Sequence, residues 1–121
     1  MRTFVGHESD VNCVAFTRSG APGFGSASSD CTCKLYDMRA FDALQTYGGG
    51  FEEALSIDFS SSDRYAFAAF GDGTVRVWDT LSGRTVGDAL THEYRVPCLQ
   101  VAPDGRALAT GCWDTTATVY A

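Results

Sequence analysis

Apolar and polar residues alternate along this chain in short runs. The clearest is Thr74 to Trp78, where Val75 and Val77 fall between Thr74, Arg76 and Trp78. A period of two puts successive side chains on opposite faces of a β-strand. Similar runs lie at Gly23 to Ser28, Thr32 to Tyr36, Ala43 to Tyr47, Ala54 to Phe59, Tyr65 to Phe70 and Thr85 to Leu90. Val96 to Val101, Ala107 to Gly111, Thr116 to Tyr120 and Arg2 to Val5 continue the series. Val11 to Phe16 is nearly all apolar, which predicts a strand covered on both faces. Turn residues separate the runs, as in Thr17 to Gly20, Ser29-Asp30, Ser60 to Arg64, Gly71 to Gly73 and Pro103-Asp104-Gly105. No stretch shows the 3.6-residue period of a helix. About twelve short strands are expected, in an all-β chain without a linker or second domain.

The strands repeat. Asp72, Val75, Val77, Trp78 and Asp79 are matched 42 residues earlier by Asp30, Cys33, Leu35, Tyr36 and Asp37. The same step forward reaches Asp114, Ala117, Val119, Tyr120 and Ala121. A fixed period in this range means one supersecondary unit written several times. The expected organisation is one repeat region over 1–121, with units at roughly 6–47, 48–90 and 91–121 and a strand at 2–5. The third unit stops one strand short, and the strand at 2–5 is its counterpart at the other end.

Composition narrows the function. A net charge of −6 gives no basic stripe for nucleic acid. No segment is long and apolar enough for a membrane helix, and the first residues lack a signal-peptide core, so the expectation is a cytoplasmic chain without membrane insertion. Of five cysteines, Cys13, Cys33 and Cys98 fall at apolar strand positions and are expected to be buried thiols. Cys31 and Cys33 have the spacing of a zinc pair but no second pair to complete it. Gly48-Gly49-Gly50 lacks the Lys-Ser/Thr of a phosphate cradle, and Asp58, Asp63, Asp72 and Asp88 are too scattered for a calcium loop. No metal or cofactor is expected.

His7, Ser28 and Asp30 have the residue types of a nucleophilic triad, with His92, Cys112 and Asp114 as a parallel set. A hydrolase is therefore one reading. The bland alternative is a buried hydrogen-bonded network, since each unsatisfied polar group would cost about 1–3 kcal/mol. A catalytic site is not expected to recur at a fixed offset.

Gly6-His7, Thr91-His92, Trp78-Asp79 and the three turn aspartates, at this period, resemble a WD-repeat β-propeller. Gly6 to Asn12, Leu35 to Ala40, Gln45 to Tyr47, Arg95 to Leu99 and Ala109 to Asp114 are similar to the last three blades of heterotrimeric G protein β subunits. The chain departs from that family at Gly48 to Glu52, at Ala21-Pro22-Gly23 and at Tyr120, where a tryptophan is usual.

The resemblance implies four-stranded antiparallel blades in an incomplete ring, and one network in each. His7, Ser28, Asp30 and Tyr36 would form the first. Asp72 and Trp78 remain in the second, with Phe70 at the Ser/Thr place and no histidine; His92, Cys112, Asp114 and Tyr120 belong to the third. Without its network, blade two would rest on packing of Phe59, Tyr65, Phe67, Val75 and Val77, and would open first.

The resemblance also implies a non-catalytic scaffold. Asp10, Asn12, Ser29, Arg95 and Trp113 match partner-contacting places on one rim, where a G protein α subunit or effectors dock. Ser29 replaces a usual acidic residue there. The N-terminal helix that grips a γ subunit in that family is not in this chain, which argues against γ binding. Attachment to the inner face of the plasma membrane would come through partners. A WD-repeat adaptor of a ubiquitin ligase or another assembly is the rival binding module. Three blades do not close a ring, so a piece of a longer protein, self-assembly of two chains and an open array are all compatible with the sequence.

Overall fold

The computed structural model describes residues 3–19, 22–40, 43–48, 52–91, 95–112 and 116–120. Those residues form eleven strands and no helix. The first sheet holds β1 (Val11–Phe16), β2 (Gly23–Ser28), β3 (Cys33–Asp37) and β4 (Ala43–Tyr47). The middle sheet holds β5 (Ala54–Phe59), β6 (Tyr65–Phe70), β7 (Thr74–Asp79) and β8 (Thr85–Thr91). The third holds β9 (Cys98–Val101), β10 (Leu108–Gly111) and β11 (Ala117–Tyr120). Every ladder is antiparallel and joins strands consecutive in sequence. Tight turns fix the registers. At the β6–β7 turn Gly73 takes φ +87°, a left-handed conformation that suits glycine, and its N–H bonds Phe70 O at 3.1 Å.

The sheets stack face to face through their alternate residues. Ala27, Cys33 and Tyr47 of the first sheet share a core with Ile57, Phe59, Ala66 and Trp78 of the middle one. Burying a side chain the size of Ile57 or Phe59 is worth about 1.5–3 kcal/mol. The two sheets approach so closely at Gly25 that a Cβ there would lie 2.7 Å from Phe59 Cζ. On the other side of the middle sheet, Ala69 and Val75 pack with Val96, Leu99, Val101 and Leu108. The middle sheet thus has a sheet against both faces, and among the described residues the other two have a sheet against one.

Several expectations change here. β1 is covered on one face only: Cys13 and Ala15 pack inward, while Val14 and Phe16 point outward. Alternation decides this, because the middle sheet reaches just one side of β1. Residues 3–7 run without a ladder, so no strand forms within 3–5, and Arg2 lies outside the described residues. Cys98 is exposed, on the uncovered face of β9. Tyr65, expected to pack, is 38% exposed at the first residue of β6, while Phe67 on the same side packs inward.

Cys33 is fully buried. Burial first, then the charges of Asp30 and Cys13, push its thiol well above the usual range. Thiolate is the reactive form. Alkylation of the native chain followed by peptide mass mapping is expected to leave Cys33 unmodified until denaturant is added.

Candidate functional site

The segment leading into β1 crosses the outer face of the first sheet and drops His7 onto β2. His7 Nδ1 lies 2.9 Å from Asp30 Oδ2, and Nε2 lies 2.6 Å from Ser26 Oγ. An ionised Asp30 only accepts, so Nδ1 donates to it. The Ser26 and Tyr36 hydroxyls share a further hydrogen bond. Phe4 and Phe24 cover the Tyr36 ring, at centroid separations of 5.4 and 5.0 Å.

The hydroxyl that meets His7 therefore belongs to Ser26, not Ser28. Both lie on one face of β2, because they are two residues apart. Ser28 Oγ turns instead to the rim, donating to Asp10 O at 2.8 Å and accepting from Asp30 N at 3.1 Å. Which serine His7 reaches depends on where the preceding segment crosses the sheet, a tertiary fact.

Asp30 is held hard. Burial pushes its carboxyl up, but four hydrogen bonds outweigh that and hold it well below the usual carboxylate range. They come from Thr32 Oγ1 at 2.6 Å, His7 at 2.9 Å, Glu8 N at 3.0 Å and Thr32 N at 2.9 Å. A carboxyl with a folded pKa below its unfolded one adds stability above the unfolded value, and that stability is lost as pH falls through the folded value. The chain is expected to lose stability progressively below about pH 4. An Asp30→Asn variant is expected to start lower at neutral pH and to fall less steeply, as read by denaturant titrations at several pH values.

The other units differ. The ladder partner of Ser26 is Lys34, and the matching pair in the middle sheet is Ala68 with Arg76. The hydroxyl place there is thus Ala68 rather than Phe70, whose ring packs edge-on against Trp78 at 6.0 Å. Asp72 accepts from Thr74 N at 3.0 Å within its own turn. In the third sheet the same register falls on Thr110, not Cys112. Thr110 Oγ1 is buried without a hydrogen-bond partner among the described residues. Cys112 N donates to Thr116 O at 3.0 Å, and half-buried Tyr120 sits beside Leu108. His92 and Asp114 lie outside the described residues.

On the loop rim, Asn12 Nδ2 donates to Ser29 Oγ at 3.1 Å and to Ala54 O at 2.8 Å. Ser29 Oγ donates to Glu53 Oε2 at 2.8 Å, and Glu53 Oε1 forms an ion pair with Arg95. Three of the five expected rim residues are thereby joined across three sheets. Asp10 stands exposed beside them, its carbonyl accepting from Ser29 N at 2.8 Å. Trp113 lies outside the described residues. Glu53, the centre of this chain of bonds, was not legible in sequence: it belongs to no motif and gains its partners only when the sheets stack.

A second polar junction lies where the inner strands end opposite this rim. Arg18, after β1, donates to Asp58 of β5 at 2.7 Å and to Val101 O of β9 at 2.9 Å. Asp58 also accepts from Val101 N at 2.8 Å. Asp63 accepts from the N–H groups of Arg18 and Ser19 at 2.7 and 2.8 Å.

Radially stacked antiparallel meanders, joined at inner strands and carrying loops on a common rim, are blades of a β-propeller. The chain matches the family described as "WD domain, G-beta repeat" at residues 1–37, 42–79 and 84–120, and it belongs to that family. It is similar to "Guanine nucleotide-binding protein subunit beta" of Nicotiana tabacum, 42% identical over 129 residues, covering 99% of this chain and 34% of that protein. The Arabidopsis thaliana protein of that name is 43% identical over 130 residues, covering 100% and 34%. The Zea mays one is 40% identical over 132 residues, with the same coverage. The chain spans about a third of the length of these curated relatives.

Proposed function

We propose that the chain is a non-catalytic docking scaffold of the G protein β-subunit kind. Its loop rim receives a G protein α subunit in the GDP state and, once that leaves, effectors. Such a role places it in the cytoplasm, reaching the inner face of the plasma membrane through partners. The observation that carries the reading is the Asn12–Ser29–Glu53–Arg95 chain, which ties polar side chains of three blades into one rim. Side chains already ordered lose less entropy on docking. Trp113 and Arg95 are of the residue types that anchor interfaces.

The arrangement of Asp30, His7 and Ser26 has triad connectivity, yet Ser26 is 2% exposed and lies beneath the segment carrying His7. A nucleophile so placed has almost no contact with solvent, which favours the structural role. Binding of a GDP-loaded α subunit to the chain, measured by calorimetry, tests the proposal. Trp113→Ala and Arg95→Ala are each expected to weaken binding about 30-fold, the 2 kcal/mol scale of an interface hot spot. No binding by the unaltered chain would overturn it, and labelling of Ser26 by a fluorophosphonate would overturn its non-catalytic part.

A further inference from the structure

Gly71 follows β6 at the loop rim, and its backbone does not require a glycine. Its φ lies outside the left-handed region in which Gly73, Gly83 and Gly105 sit. Its N–H bonds Glu53 O at 2.9 Å, which any residue but proline could do. What a side chain there would meet is Arg95. A Cβ on Gly71 would lie 3.0 Å from Arg95 Nη1, 3.3 Å from Cζ and 3.5 Å from Nη2. Three guanidinium atoms at such similar distances set the broad side of the head against the glycine.

The same head is also held at one edge. Arg95 Nη2 forms an ion pair with Glu53 Oε1, and Glu53 Oε2 accepts from Ser29 Oγ at 2.8 Å. Glu53 is thus steadied from the first sheet, and Arg95, which comes in ahead of β9, is steadied from the middle one. Ordering a long arginine side chain costs rotamer entropy, and here that cost falls within the chain before any partner arrives. The Arg95 side chain is still 29% exposed, so the head is both held and reachable.

Charge says what it is held for. Among the described loop residues of the rim, Glu8, Asp10, Glu52 and Asp72 are exposed acids, and Arg95 is the one arginine or lysine. A partner's carboxylate is repelled elsewhere on this rim. The place of the Arg95 head therefore sets where such a group can be met.

We propose that Gly71 and Glu53 are positioning residues for docking. They hold Arg95 in one pose, where it meets an acidic side chain of a partner whose surface is otherwise basic. Gly71 is a glycine for the sake of the arginine rather than of the turn. This role rests on the docking reading of the rim.

Two measurements test it, the first without a partner. Nuclear magnetic relaxation of the Arg95 Nε–H is expected to show a rigid head in the unaltered chain. In Gly71→Ala and in Glu53→Ala the head is expected to be mobile, with the circular dichroism spectrum unchanged. Both variants are expected to weaken binding of a GDP-loaded α subunit about 2- to 12-fold, the cost of freezing one long side chain on docking. Added to Arg95→Ala, neither is expected to weaken it further, because both act through that residue. Losses that persist on Arg95→Ala, variants that bind as the unaltered chain does, or a head equally mobile in all three chains would overturn the positioning role alone. A chain that holds Arg95 rigid yet binds no α subunit would overturn the docking reading, and this role with it.

Discussion

Asp58→Ala is expected to destabilise the chain by about 3–5 kcal/mol, the usual result of removing one partner from a buried ion pair. Its carboxylate is buried on β5 and serves three sheets at once. One oxygen takes Arg18 Nη2 at 2.7 Å and Val101 N at 2.8 Å; the other takes Phe59 N at 2.9 Å. Alanine leaves the Val101 and Phe59 amides without acceptors and strands a half-buried guanidinium. Each unsatisfied buried donor costs about 1–3 kcal/mol. Arg18→Ala should cost less, because Asp58 keeps both backbone donors. A double-mutant cycle on the two would isolate their coupling. Denaturant midpoints with an unchanged slope are the measurement, and a loss under about 1 kcal/mol would show that packing alone holds the sheets.

This junction also marks where sequence reasoning stopped. Period-two runs and turn residues placed β2, β4, β5 and β6 to the residue, because those features act within one strand or turn. The 42-residue step located the repeat, and Ser26, Ala68 and Thr110 follow it, although their partners Val14 and Ile57 are one residue further apart. What lay between sheets was not legible. Arg18, Asp58 and Glu53 sit in no motif, and they acquire partners only when segments about 40 residues apart are stacked. Ser26 and Ser28 have the same type, strand and face, so the choice between them rests on the path of residues 3–9. The exposure of Val14 and Phe16 has the same origin: an apolar run fixes that a strand forms, but not how many neighbours it meets.

Trp78→Ala is expected to cost a further about 3–5 kcal/mol, the range for removing a large aromatic from a core. Trp78 is 1% exposed, stacks on Tyr47 of the first sheet at 5.2 Å and takes Phe70 edge-on at 6.0 Å. No hydrogen-bonded histidine supports this blade, and on that ground alone it would be expected to open first. The packing argues for the reverse order. The middle sheet is the one pressed from both sides, so separating it breaks two seams, while either outer sheet breaks one. Where the network is missing, Ala68 replaces a hydroxyl and leaves no polar group to satisfy. Hydrogen exchange is expected to find the amides of β6 and β7 the slowest in the chain, and Trp78→Ala to speed them more than those of β10. Faster exchange in β6 and β7 than in β2 and β3 of the unaltered chain would show instead that the His7–Asp30–Ser26 network, rather than two-sided burial, sets the order of opening.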